Sequence, residues 1–98
     1  YLTHLQSGLE IALGEFRPEA VLYVAGADVY ERDLLGGLAL TFEDLRARDD
    51  MVMTACASAG IPFAVALAGG YAERTADTAA IHAATVARAI EVGEALEA

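Results

Sequence analysis

Lysine is absent from the 98 residues: the 6 basic side chains are all arginine, against 15 Asp and Glu, giving a formal net charge of −9. Binding phosphate backbones needs a basic patch, so this balance argues against nucleic acid, and no nucleic-acid partner is expected. An acidic surface suits a cationic substrate, and equally it does no more than keep a chain in solution. A single cysteine, Cys56, excludes an internal disulfide. It sits in an alanine-rich helical stretch and reads as a small buried hydrophobe. That usage fits a reducing compartment, and a cytoplasmic location is expected. No apolar run approaches the roughly 20 residues of a spanning helix, so no membrane partner is expected. No stretch has the pattern of a secretory signal. The two histidines, His4 and His82, stand alone in helical segments, where they read as surface or packing residues. Paired Cys or His zinc signatures, a Gly-x-Gly-x-x-Gly fingerprint and a phosphate loop are all missing.

What is abundant is apolar: 56% of residues, against a usual ~45–50%. Much of it is alanine, which lets helices pack closely. The length supports one small core. The chain begins at Tyr1, inside an apparent helix, so a piece of a longer protein is expected. A surplus of core-type residues in such a piece implies an exposed apolar patch and self-association through it.

The chain is organised around Ala20-Val-Leu-Tyr-Val-Ala-Gly-Ala-Asp28. Its unbroken β-branched and aromatic run predicts a strand at 20–25, buried on both faces. Asp28 then stands at the strand's carboxyl end, the edge where open α/β sheets bind ligands. By itself such an Asp also serves simply to cap loop amides. A second unit repeats the plan: Phe63–Leu67 predicts a strand, followed by Ala68-Gly69-Gly70-Tyr71, which by itself is a plain turn.

Around these strands the periodicity predicts three helices. The first, over 1–16, carries Leu2, Leu5, Leu9, Leu13 and Phe16 on one stripe. Pro18 ends it, pushing Arg17 toward extended geometry. The second starts at Thr41, whose Thr-Phe-Glu-Asp44 forms a capping box with a shorter acid, and runs to about Ala59. It presents Leu45, Val52, Cys56 and Ala59 on one face, with Gly60 as its stop. The third runs from Thr75 or Asp77 to Leu96, with Ala79, Ala83, Val86 and Ile90 as its packing face. The order α-β-α-β-α predicts an α/β fold with a parallel, right-handed βαβ unit. Two strands alone make a poor sheet, so further strands are expected from elsewhere.

Two separated segments in this order carry a family resemblance: Val24–Thr41, containing Gly26-Ala27-Asp28 and Asp33-Leu34-Leu35, and Ala66-Leu-Ala-Gly-Gly-Tyr71, with Arg48-Asp49 between them. Together they resemble the C-terminal third of the histone deacetylase superfamily, which includes bacterial acetoin-utilisation proteins and acetylpolyamine amidohydrolases. The bacterial and class IV members look most similar. The resemblance implies that residues 1–98 are the C-terminal segment of a single arginase-deacetylase-like domain, a parallel-sheet α/β/α three-layer fold. The implied activity of the parent is zinc-dependent removal of acetyl from acetyl-lysine or an acetylated amine.

Carried over residue by residue, the resemblance makes Asp28 a zinc ligand. It makes Tyr71 the catalytic hydroxyl that polarises the acetyl carbonyl and steadies its oxyanion. Gly69 and Gly70 would let the main chain line a narrow acetyl pocket. Leu35 would flank the acyl-lysine stem, with Asp33 holding its loop. Arg32 replaces the family's usual glycine, and Ala68 replaces the first of three glycines. The family's tandem His-His pair and its Asp-x-His zinc motif do not occur in these residues. The chain alone is therefore expected neither to hold zinc tightly nor to turn over substrate. Two other readings remain: an interaction or oligomerisation module that keeps the fold without the chemistry, and a small ligand-binding domain using Gly69-Gly70 as an anion loop.

Overall fold

The computed structural model describes residues 1–32, 39–70 and 72–97. The order is the expected one: α1 (Leu2–Leu9), continued by a wider π-helical stretch over Glu10–Glu15, then β1 (Val21–Gly26), α2 (Phe42–Ser58), β2 (Phe63–Ala68) and α3 (Thr75–Glu97). The two strands pair in parallel, in register from Val21 opposite Phe63 to Gly26 opposite Ala68. Each strand ends one residue later than its apolar run suggests, so Gly26 and Ala68 close the ladder.

The helix ends follow local chemistry. Thr41 Oγ1 accepts from the Asp44 N–H at 3.1 Å, and Asp44 Oδ2 accepts from the Thr41 N–H at 3.0 Å, so the capping box is complete. The Thr41 N–H first, and the Thr41 side chain second, hold the Asp44 carboxyl below its ordinary pKa by favouring its charged form. Gly60 ends α2 with φ +70°, and the Ile61 N–H reaches back to the Cys56 carbonyl. Arg17 differs from expectation. It is left-handed, at φ +55°, not extended. Pro18 bars the right-handed helical region to the residue before it, and no glycine stands where the chain must reverse out of the first helix.

α2 is the packing centre. It lies against β1 and carries α1 and α3 against its flanks. Leu45, Val52 and Cys56 are buried along it, as the stripe predicts; Met53, outside the expected stripe, is buried too, and Ala59 is exposed. Burial raises the pKa of the Cys56 thiol. Ala27, Tyr30, Leu45 and Ile81 form a small core at the strands' carboxyl end. The Tyr30 ring lies 4.9 Å from that of Phe42, and its hydroxyl donates to Asp77 at 3.1 Å.

Two faces differ from the sequence reading. β1 is covered on one face only: Leu22 and Val24, on the other, are 68% and 59% exposed. Among the described residues no helix lies on that side to bury them. α3 is also turned from its expected orientation. Ile81, Thr85 and Val92 face inward, while Ala79, Ala83, Val86 and Ile90 face outward. Alanine is spread all round this helix, so the sequence marks no unique inner stripe, and polar Thr85 is chosen for its hydrogen bonds. The expected apolar patches are thus present, on the bare sheet face and on the outer side of α3.

Candidate functional site

Asp28 and the Gly69-Gly70 loop meet at the carboxyl end of the two strands. The parallel register makes this necessary: Gly26 lies opposite Ala68, and the Ala27 N–H donates to the Ala68 carbonyl at 3.0 Å. Farther out, the Glu73 N–H donates to the Arg32 carbonyl at 2.9 Å, tying the two loops together again. Asp28 is exposed. It lies on a cleft of about 290 Å³ that Gly26, Gly69, Tyr23 and Arg48 also line.

Glycines make the room for its carboxylate. A Cβ on Gly26 would stand 2.7 Å from Asp28 Oδ1, and one on Gly69 3.2 Å from Asp28 Cγ. Gly69 is left-handed at φ +65°, and Gly70 has φ +119°, a conformation that only glycine adopts without strain. A Cβ on Gly70 would come 2.5 Å from Thr78 Cγ2 on α3. Gly70→Ala is therefore expected to lower stability by about 1–3 kcal/mol through backbone strain alone. Gly8→Ala, on an open helical site, should be neutral or stabilising. Urea midpoints of the two variants check the contrast.

Behind the loops lies a buried polar network that the sequence reading missed as a unit. Arg48 and Asp49 are neighbours on α2, with side chains 5% and 3% exposed. Arg48 donates to Asp49 Oδ1 from Nε at 3.1 Å and from Nη2 at 3.0 Å, and its Nη1 donates to the Gly26 carbonyl. The Tyr23 hydroxyl on β1 donates to the same Asp49 oxygen, and Thr85 on α3 donates to Oδ2. Burial first, then the bond to Asp49, holds the Tyr23 phenol well above its ordinary pKa. The signal was available: Arg48 and Asp49 fall among Leu45, Val52 and Cys56 on the apolar stripe of α2, where a charge has to find a partner.

His82 also does more than pack. Its Nε2 lies 3.3 Å from the Gly69 carbonyl, so Nε2 carries the proton and donates. His82 Nδ1 and Thr78 Oγ1, one turn apart on α3, are buried with no partner among the described residues. His4 is exposed, as expected.

Of the expected site residues, the fold brings Asp28, Gly69 and Gly70 together; Tyr71 and Leu35 lie outside the described residues. Among the described residues no three His, Cys, Asp or Glu side chains gather to hold a metal. Among the described residues at this edge, Asp28 offers a cation an exposed, hard carboxylate in a glycine cradle, a donor that fits a single oxygen ligand.

Residues 1–87 match the histone deacetylase domain. An uncharacterised protein of Picosynechococcus is 40% identical over 77 residues, covering 79% of this chain and 26% of that protein. Histone deacetylase 2 of Arabidopsis thaliana is 36% identical over 76 residues, covering 78% of this chain and 20% of that protein. The chain thus spans about a quarter and a fifth of the lengths of these relatives. With the whole of both strands and most of α3 inside the matched residues, this chain belongs to the histone deacetylase family.

Proposed function

We propose that residues 1–98 are the C-terminal segment of a single zinc-dependent deacetylase domain acting on acetyl-lysine or an acetylated amine. One observation carries the reading: parallel pairing brings Asp28 and the Gly69-Gly70 loop to the same sheet edge, with glycine where any side chain would displace the carboxylate. Asp28 contributes one carboxylate oxygen to zinc. Zinc, when bound, supplies a Lewis acid that polarises a carbonyl and lowers the pKa of water. Tyr71 donates its hydroxyl to the acetyl carbonyl as negative charge develops there, the kind of interaction that most often dominates acyl-transfer catalysis. Gly69 and Gly70 leave the main chain close to the acetyl group, and Leu35 flanks the substrate stem. Proton transfer and the remaining zinc ligands come from outside these 98 residues, so the isolated segment holds no zinc tightly and turns over no substrate. The bare faces at Leu22 and Val24 and at Val86 and Ile90 are covered by the rest of the same domain.

The test uses the full-length protein and an acetyl-lysine peptide. The expected results are one zinc per chain, release of acetate, and a drop in kcat of about 10²–10³-fold in Tyr71→Phe with zinc retained. A full-length protein with neither zinc nor deacetylation would sink the reading. The exposed apolar faces would then favour the interaction module, and a discrete dimer of the full-length protein would support it.

A further inference from the structure

We propose that Arg48 is a positioning residue for Asp28; the inference rests on the reading of Asp28 as a metal ligand. The peptide between Gly26 and Ala27 is gripped on both sides. Its N–H, on Ala27, donates to the Ala68 carbonyl of β2 at 3.0 Å. Its carbonyl, on Gly26, points the opposite way and accepts from Arg48 Nη1. A guanidinium thus stands where a further strand would donate to β1. Asp28 follows one residue later, beyond Ala27, which is 1% exposed. With that peptide plane clamped and Ala27 packed, the main chain that presents Asp28 to its cradle is held in place.

The chemistry of Arg48 supports more than a packing role. A buried ion pair is commonly no more stabilising than apolar residues of the same volume. Here Nε and Nη2 are both taken by Asp49 Oδ1, which leaves Nη1 aimed at a single main-chain carbonyl. The rigid fork of guanidinium fixes the distance between the α2 carboxylate and the β1 carbonyl. Lysine can reach either partner but cannot hold both at a fixed separation. Asp49 also accepts from Tyr23 on β1 and Thr85 on α3, but its two bonds from Arg48 do not depend on either donor.

The test measures zinc affinity in the full-length protein, using Zn²⁺ competed by a chromophoric chelator, with Co²⁺ absorption as a second probe of ligand geometry. Arg48→Lys is expected to stay folded and to raise the zinc Kd by about 10–100-fold, the effect typical of groups that orient a ligand. It should also weaken or shift the Co²⁺ bands. Arg48→Gln with Asp49→Asn guards against misfolding: it buries two neutral amides, and the shorter glutamine cannot reach Gly26, so the same rise is expected. Tyr23→Phe is the control. It removes a donor to Asp49 but not the grip on Gly26, so it should lower Tm and leave the zinc Kd within about twofold of wild type. Wild-type Kd in both Arg48 variants overturns the proposal while leaving Asp28 as a ligand. A rise in Tyr23→Phe that matches its loss of Tm also overturns it, making the network merely structural. If the wild-type protein binds no zinc, this inference and the proposed function fall together.

Discussion

Asp49→Ala is expected to destabilise the protein by about 3–5 kcal/mol, a large fraction of the 5–15 kcal/mol that holds an ordinary domain together. The carboxylate is 3% exposed and takes four hydrogen bonds, from Tyr23, from Thr85 and twice from Arg48. Its removal does not cost the same at each partner. Thr85 can turn its one hydroxyl proton to the Ile81 carbonyl, 3.2 Å away. Tyr23 is only half-buried and can turn toward water. Arg48 has no such escape: its guanidinium stays buried with one carbonyl in place of a counter-ion, and an uncompensated buried charge is the dominant penalty. The comparison residue is the next one along. Asp50 pairs with Arg88, but the two side chains are 56% and 37% exposed, so Asp50→Ala should cost less than about 1 kcal/mol. Urea unfolding of the full-length protein separates the two. An Asp49→Ala loss no larger than that of Asp50→Ala would mean that Arg48 reaches solvent. Replacing both members of the buried pair, as Arg48→Met with Asp49→Leu, should cost less than Asp49→Ala alone, because no charge is left behind.

The same pair shows how far the sequence can be read. The strands were visible because their apolar runs are short, uninterrupted and closed by glycine. The α2 start was visible because Thr41 and Asp44 have the spacing of a capping box. Each of these signals is local. What escaped was set by partners distant in sequence. Arg48 and Asp49 could be seen to interrupt the α2 stripe, but their partners, Tyr23, Gly26 and Thr85, lie on other elements. The inward face of α3 was misassigned because alanine surrounds the helix and Thr85 earns its place by hydrogen bonding, which hydropathy counts as unfavourable. The bareness of β1 at Leu22 and Val24 is not a property of the strand at all, since its sequence is suited to burial on both sides. At the sheet edge, resemblance singles out Asp28 and the paired glycines, whereas the reason for glycine at 26 and 69 comes from the register, which places both against one carboxylate. His82 shows no sequence signal for its bond to Gly69, thirteen residues away.

Asp28→Ala in the full-length protein is expected to raise the zinc Kd by at least about 100-fold while leaving the stability of the metal-free protein within about 0.5 kcal/mol of wild type. The two halves of this prediction oppose each other in a useful way. Apparent zinc-binding free energies of about 10–16 kcal/mol are shared among few ligands, so losing one costs several kcal/mol of affinity. By contrast, an exposed side chain that serves only the metal contributes little to the fold without it, and Asp28 is exposed. Its surroundings sharpen the distinction, because Gly26 and Gly69 put no side chain against the carboxylate, so alanine at 28 opens no core cavity. An Asp that merely caps loop amides behaves in the reverse manner: its removal unsatisfies backbone donors, costs about 1 kcal/mol or more without metal, and leaves zinc binding where it was. Asp28→Asn refines the outcome. Asparagine fits the same cradle and still accepts backbone hydrogen bonds, so a capping role survives the change. A ligand role does not, since the neutral amide oxygen is a far poorer partner for a dication than a carboxylate. Wild-type stability with weakened zinc in both variants assigns the carboxylate to the metal; weakened stability in Asp28→Ala alone, with zinc binding intact, assigns it to the loop.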